Sequence, residues 1–249
     1  MLRTRAYFNF CRPTHLDTWS DALKAMSFET VFIYLNADEA KWLRAGEGWK
    51  GLVAAYADMQ GSTVLGQLQQ ALDEFGGKGF VRTQVRSPKD STLFARGRGQ
   101  ITDPWTAVTM LRESTRFHED CAWLDGFAEL PVLVVRKWLD IPAWAEFRCF
   151  IRNGKLVGIS QLRRQANVPE PMRSKPSNLH RFLSIACNTL IPQLPKRNVV
   201  VDLAIPSWDQ SVAGPRAVLL ELNPWHALTD AGWFDWRQLA DFDGSIRLS

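Results

Sequence analysis

Residues 145–162, AEFRCFIRNGKLVGISQL, say most about the fold. Polar and apolar residues alternate along 145–152 and again along 155–162, which is typical of β-strands with one buried face. The two runs flank Asn153-Gly154, the preferred dipeptide of a two-residue type I′ turn. The stretch therefore predicts a β-hairpin.

The turn also predicts how the two strands pair. It sets Arg148 opposite Ile159 and Glu146 opposite Gln161. In this register Glu146, Arg148 and Gln161 share one polar face, and the opposite face is apolar. Because one face of a hairpin can simply be exposed to water, the pattern leaves open whether these residues are solvated or line a cleft.

Outward from the hairpin, helical and strand patterns alternate along the chain. Helical periodicity and end signals such as Asp103-Pro104 and Gly76-Gly77 predict helices over 16–26, 37–44, 63–75, 104–119 and 177–190. Apolar or alternating runs predict strands over 29–35, 79–85, 132–138, 199–204 and 217–223. These elements indicate an α+β fold, largely antiparallel toward the C-terminus.

The last two strands carry oxygen-bearing side chains on their polar faces. Asp202 lies among valines and a leucine, and Glu221 and Asn223 alternate with leucines. Residues two apart on a strand lie about 6.6 Å apart on one face, so Glu221 and Asn223 could share an ion. Mg²⁺ prefers such hard oxygen ligands. Solvated strand positions are the alternative explanation.

Composition excludes several classes of protein. The chain has 249 residues, a net charge of +4 and 46% hydrophobic residues, values typical of globular proteins rather than disordered or collagenous ones. No apolar run approaches the roughly 20 residues that a transmembrane helix needs. Early arginines are not followed by an apolar signal-peptide core, so we expect a cytoplasmic protein without membrane attachment.

The cysteines and the common catalytic motifs give mainly negative information. Cys11, Cys121, Cys149 and Cys187 form no C-x-x-C pair, so we expect reduced, buried thiols rather than a zinc site or disulfides. No P-loop, dinucleotide fingerprint, G-x-S-x-G elbow or H-E-x-x-H helix is present in the sequence. No catalytic residue is assigned.

Positive charge is concentrated in two segments. Residues 82–98 contain five cations and one anion, and residues 163–181 contain the same numbers. Such segregation suggests either an anionic ligand held between two basic segments or a basic surface for nucleic acid or membrane.

Four segments resemble one known family, the cell division cycle protein 123 family of the ATP-grasp superfamily. They are residues 80–91, 134–161, 199–204 and 219–239, with the motifs S-P-K-D, R-K-W, E-F-R-C-F and N-P-W…T-D. The resemblance implies two lobes enclosing a nucleotide cleft. We expect residues 1–130 to contain the first lobe, and residues 131–249 to form the second, with the hinge and metal-binding strands, in one compact unit.

The resemblance also implies which residues hold the ligands. The connection after residue 134 would present backbone groups to adenine, and the charged residues of the strands and of the S-P-K-D loop would meet the phosphates. The expected ATP-binding residues are Arg82, Lys89, Arg136, Lys137, Trp138, Leu139, Glu146, Arg148 and Gln161, and the expected Mg²⁺ ligands are Asp202, Glu221 and Asn223.

Two functions follow from an intact Mg·ATP site, and a third does not need one. Eukaryotic members of the family assist assembly of translation initiation factor 2, which implies an ATP-dependent chaperone with a protein client. The wider superfamily contains ligases that couple an activated carboxylate to an amine or a thiol. The weaker alternative is nucleic-acid binding by the basic segments.

Overall fold

The computed structural model of the protein describes residues 4–44, 63–170, 172–206, 208 and 216–249. The helices are α1 (Arg5–Cys11), α2 (Asp21–Ala25), α3 (Ala37–Arg44), α4 (Thr63–Glu74), α5 (Thr92–Gly97), α6 (Pro104–Glu113), α7 (Thr115–Asp125) and α8 (Pro176–Leu190). The strands are β1 (Thr30–Tyr34), β2 (Gly79–Thr83), β3 (Gln100–Ile101), β4 (Val132–Lys137), β5 (Glu146–Arg152), β6 (Lys155–Gln161), β7 (Val199–Ala204), β8 (Val218–Pro224) and β9 (Ile246–Arg247).

The chain divides into two compact units. The first contains Met1–Tyr7 and Glu29–Trp138, and the second contains Phe8–Phe28 and Leu139–Ser249. This division differs from the boundary expected between residues 130 and 131. The reason is that β4 pairs with β1 and β2 inside the first unit, whereas residues 8–28 cluster with the second.

The first unit is built on a four-stranded sheet with strand order β1-β4-β2-β3. All of its strand pairs are antiparallel. Alternate residues of β4, Leu133 and Val135, belong to a fully buried apolar core together with residues of α4, α6 and α7 such as Leu68, Leu111 and Phe117. Helices therefore cover one face of this sheet.

The helix predicted over 104–119 is divided in two. Asp103 caps α6 by accepting a hydrogen bond from the Thr106 backbone N–H, as its position before Pro104 predicts. Ser114 then adopts an extended conformation and accepts from the Phe117 N–H, so it ends α6 and caps α7. A serine at such a point competes with the helix by bonding its own backbone neighbours.

The helix predicted over 16–26 is also wrong in part. Residues Leu16–Thr18 form a short 3₁₀ helix, and Ser20 starts the five-residue α2 by accepting a hydrogen bond from the Leu23 N–H. Helix α1 lies upstream and was not predicted. The other predicted helices and strands form with bounds shifted by at most a few residues. Most of the turn predicted between β7 and β8 falls outside the described residues.

The second unit is built on a five-stranded sheet with strand order β8-β7-β5-β6-β9. Its pairs are antiparallel except for the short parallel pair of β6 with β9. Helix α8 contacts β6, and its Cys187 lies beside Cys149 of β5, so the apolar face of this sheet packs on α8. The α+β fold with a largely antiparallel C-terminal sheet is thus confirmed.

A bulge changes the predicted register of the hairpin. Near the turn, Arg152 pairs with Lys155 and Ile151 with Leu156, as Asn153-Gly154 predicts. The register shifts between Phe150 and Ile151, so that farther from the turn Arg148 faces Ser160 instead of Ile159. One extra residue on β6 accounts for the shift.

The expectation of buried cysteines is also confirmed. All four cysteines are free and buried. Among the helices in the described part of the chain, none is long and apolar enough to cross a membrane.

Candidate functional site

A row of charged residues crosses three neighbouring strands of the second unit. In the strand register Arg148 of β5 lies opposite Asp202 of β7, and Asp202 lies opposite Glu221 of β8. Directly opposed residues of antiparallel strands point to the same face. Arg148, Asp202 and Glu221 therefore stand side by side on the face opposite α8.

Asn223 joins this row from the same strand as Glu221. Its Nδ2 donates to Asp202 Oδ2 at 3.0 Å and to Glu221 Oε1 at 3.3 Å. The amide thus lies where two carboxylates converge. The three residues expected as metal ligands are brought together as the alternation on two adjacent strands predicted.

Three hydrogen bonds hold the Arg148 guanidinium in this row. Its Nε and Nη2 donate to the two oxygens of Asp202 at 2.8 and 2.7 Å, and its Nη1 donates to the Asp230 carbonyl at 2.8 Å. The residue is only 8% exposed. Burial disfavours the charged guanidinium, but the carboxylates of Asp202 and Glu221 outweigh this and raise the pKa of Arg148.

The donor set fits Mg²⁺. Two carboxylates and one amide supply hard oxygen ligands, since half a turn of the Asn223 amide would present its oxygen at the point where Asp202 and Glu221 converge. The described ranges contain no group of three or more His, Cys, Asp or Glu residues placed to hold a metal, so the cluster depends on the amide of Asn223 as its third ligand. The arrangement suits an ion that completes its coordination with phosphate and water.

A loop after β8 supplies contacts that sequence reasoning did not assign. The Asp230 carboxylate lies 3.4 Å from the Arg164 guanidinium, which also stacks over Trp233 with 5.2 Å to the ring centroid. The backbone N–H of Trp233 donates to Ser160 Oγ at 3.0 Å. The T-D dipeptide of the N-P-W…T-D motif could have indicated Asp230. The position of Ser160 opposite Arg148 was not predictable, because it depends on the bulge.

Gln161 and Glu146 do not lie together as predicted. The bulge puts Gln161 opposite Phe147, so it lies on the other face from Arg148. Its amide is fully buried and bonds the Ala166 carbonyl at 2.6 Å and the Ser249 backbone at 3.0 Å, which anchors the C-terminal residue. Glu146 forms an ion pair with Arg163 at 2.8 Å.

The first unit holds most of the other predicted nucleotide contacts. Arg82 is buried in β2, where its Nε and Nη2 donate to the carbonyls of Thr83 and Val85 at 3.1 and 2.9 Å. In the S-P-K-D loop, Lys89 is exposed, whereas Asp90 accepts hydrogen bonds from the Ser114 hydroxyl and the Arg116 N–H. Asp90 therefore fixes this loop to the start of α7.

The end of β4 leads out of the first unit. Arg136 is buried, and Lys137 forms a 2.6 Å ion pair with Glu29 at the surface. The backbone N–H of Lys137 donates to the Glu29 carbonyl, and the backbone N–H of Trp138 donates to the Lys78 carbonyl. Trp138 and Leu139 are half-buried and mark the point where the chain passes from the first unit to the second.

Several cations of the two basic segments are neutralised by neighbours. Arg86 pairs with Asp120 at 2.6 Å and with Glu119 at 2.9 Å. In the other segment, Arg163, Arg164 and Arg173 pair with Glu146, Asp230 and Glu170. These pairs weaken the argument for a broad basic surface that binds nucleic acid.

Comparison with known proteins identifies relatives of one kind. The model of the D123 family matches residues 57–247. A Sclerotinia sclerotiorum protein named translation initiation factor eIF2 assembly protein is 30% identical over 186 residues, covering 70% of this chain and 44% of the relative. The protein of the same name from Xenopus laevis is 26% identical over 196 residues, covering 72% and 55%.

A solved structure shares the fold. C-terminally truncated Cdc123 from Schizosaccharomyces pombe matches with a TM-score of 0.77 and 20% identity over 96% of each chain. By contrast, this chain spans about half the length of the curated relatives it matches.

Proposed function

We propose that this chain, which belongs to the D123 family, binds Mg·ATP through the Asp202, Glu221 and Asn223 cluster and uses it in the assembly of a protein client. The observation that carries the proposal is the convergence of these three side chains beside a buried arginine on one sheet face. The burial of Arg148 and Asp202 distinguishes this row from solvated strand positions.

The cluster would hold the ion by its two carboxylates and one amide oxygen. Bound Mg²⁺ would neutralise phosphate charge and fix the polyphosphate in one orientation. Arg148 orients Asp202 through two parallel hydrogen bonds, and through the Asp230 carbonyl it holds the loop after β8 against the same face.

The family resemblance adds contacts from the remaining predicted residues. We propose that the connection formed by Lys137, Trp138 and Leu139 meets the adenine ring, and that Leu139 supplies the backbone N–H, because those of Lys137 and Trp138 already donate to the Glu29 and Lys78 carbonyls. Lys89 is the best candidate for a phosphate contact among the cations of the first unit, because it is exposed. Two nitrogens of Arg82 already donate to the backbone carbonyls of Thr83 and Val85. We therefore propose that Arg82 mainly stabilises the conformation of the loop after β2.

A protein client is the second part of the proposal. The curated relatives are named as assembly proteins of translation initiation factor eIF2, and we propose that this chain likewise acts on a protein and works in the cytoplasm. This chain spans about half the length of those relatives.

Calorimetric titration with Mg·ATP tests the nucleotide part. We expect saturable binding by the wild type, weaker binding of Mg·GTP, and at least tenfold weaker Mg·ATP binding by Glu221→Gln. Glu170→Gln is the matched control because Glu170 forms an exposed ion pair with Arg173. Absence of binding by the wild type would reject the proposal.

The products separate an assembly factor from a ligase. Incubation with Mg·ATP and an extract of the host, followed by nucleotide chromatography and mass spectrometry of the bound proteins, should reveal a retained client. Stoichiometric release of ADP or AMP with a newly formed amide or thioester would instead assign a ligase.

A further inference from the structure

We infer that Arg148 is a built-in countercharge that makes metal binding at Asp202 and Glu221 dependent on nucleotide phosphate. The inference rests on the proposed Mg·ATP site and adds an order of binding to it. The metal would enter with the polyphosphate and would not occupy the protein alone.

The first step of the argument is the charge of the row. Two carboxylates, Asp202 and Glu221, share the face with one guanidinium, so these three groups carry one net negative charge. The nearby Asp230 carboxylate is opposed by Arg164 at 3.4 Å and adds no net charge. A bare divalent cation would therefore leave the row with an excess positive charge.

The second step is that the guanidinium cannot move away. All three nitrogens of Arg148 are engaged, two with Asp202 and one with the Asp230 carbonyl. The side chain is 9% exposed, and that of Asp202 is 3% exposed, so water screens the repulsion between Arg148 and an arriving cation poorly.

The third step is that both oxygens of Asp202 already accept hydrogen bonds. Oδ1 accepts from Arg148, and Oδ2 accepts from Arg148 and Asn223. A cation must compete with these donors for the carboxylate lone pairs. A polyphosphate that arrives with the metal compensates by adding several negative charges next to the guanidinium.

The wild-type protein gives the primary test, with Mn²⁺ as the metal probe. Water proton relaxation should show no Mn²⁺ binding to the protein alone up to millimolar concentration. Adding a non-hydrolysable ATP analogue should produce a protein-bound Mn²⁺ signal at concentrations at least tenfold lower. A mixture of Mn²⁺ and analogue without protein corrects for binding to the free nucleotide.

Three variants separate charge from shape. Arg148→Gln removes the positive charge and should tighten Mn²⁺ binding to the nucleotide-free protein by roughly tenfold or more. Arg148→Lys keeps the charge and, like the wild type, should bind no Mn²⁺ without nucleotide up to millimolar concentration. Arg152→Gln removes a cation from the same strand near the hairpin turn and should change nothing.

The outcomes distinguish this inference from the function it rests on. Equal Mn²⁺ affinity with and without nucleotide, in a protein that binds the nucleotide, would overturn the inference and leave the proposed function standing. Failure to bind nucleotide at all would overturn both. If Arg148→Gln does not fold, the wild-type comparison still tests whether metal binding depends on nucleotide, and equal affinities there would overturn the inference.

Discussion

Arg148 and Asp202 form a buried bidentate ion pair across two central strands, with N–O distances of 2.8 and 2.7 Å. The pair links stability to the candidate site. Removing one partner of a buried pair leaves the other uncompensated, which typically costs about 3 to 5 kcal/mol. Substitutions here therefore need a folding measurement beside every binding measurement.

The first prediction concerns Asn223, an expected metal ligand that lies beside this pair and donates to Asp202 Oδ2. Asn223→Ala should weaken Mg·ATP binding at least tenfold, because it removes an oxygen donor and the amide that joins Asp202 to Glu221. The melting temperature without nucleotide should fall by a few degrees, because the Asn223 amide also donates a hydrogen bond to the buried Asp202 carboxylate, which is worth about 1.5 kcal/mol. Calorimetry and thermal unfolding check the two parts. Unchanged affinity would show that Asn223 is not a metal ligand but an ordinary strand residue in contact with water.

The second prediction concerns the planar fork of Arg148. Arg148→Lys should destabilise the protein by at least about 1.5 kcal/mol, the value of one hydrogen bond to a charged group, because an ammonium cannot bond both Asp202 oxygens and the Asp230 carbonyl together. Denaturant unfolding measures the change.

Its matched control is Arg152→Lys, near the turn of the same hairpin, which should be nearly silent. Equal unfolding free energies for Arg148→Lys and the wild type would show that the two hydrogen bonds to Asp202 add nothing to folding.

The hairpin shows how much of the site was predictable from sequence. Local signals were sufficient for the turn and for the strand faces near it, because Asn153-Gly154 and the alternation act over a few residues. The bulge beside Phe150 was not predictable. It lies next to Gly158, whose missing side chain makes room for Phe234, a residue far away in sequence.

The acidic cluster was more accessible to sequence reasoning than the arginines. Asp202, Glu221 and Asn223 needed only the alternation of two strands and their pairing. The partners of Arg82, Arg86 and Arg148 are carbonyls and carboxylates brought together by tertiary packing, which periodicity does not encode. The sequence therefore located positive charge without revealing which cations are already neutralised.

The third prediction is a pH dependence in the first unit. Burial raises the pKa of the Asp120 carboxyl from 3.8 to about 6, although Arg86 and other arginines oppose the shift. The native state then binds more protons than the unfolded state between about pH 4 and 6. The contribution of Asp120 to the unfolding free energy is complete below pH 4 and is lost as pH rises through 6.

Comparison with Asp120→Asn isolates this group. The stability of the variant relative to the wild type should increase from pH 4 to pH 7 by up to about 3 kcal/mol, from roughly two pKa units. Glu119→Gln is the control, because the exposed Glu119 also pairs with Arg86. A constant difference between Asp120→Asn and the wild type would mean that Arg86 keeps the carboxyl ionised throughout.

The last prediction tests the packing that supports the site. A Cβ at Gly158 would lie 2.7 Å from the Phe234 ring, and Phe234 stacks on Phe242 and meets Phe150 edge-on inside a buried aromatic cluster. The ring has no free space to enter, so Gly158→Ala should destabilise the protein by about 1 to 3 kcal/mol. Gly66→Ala is the control, because a Cβ there meets nothing within 4 Å and the residue lies inside α4, where alanine should stabilise by up to about 1 kcal/mol. Denaturant unfolding of both variants measures the change in unfolding free energy, which should be a decrease for Gly158→Ala and an increase for Gly66→Ala. A neutral Gly158→Ala would show that the aromatic cluster can shift to admit a methyl group.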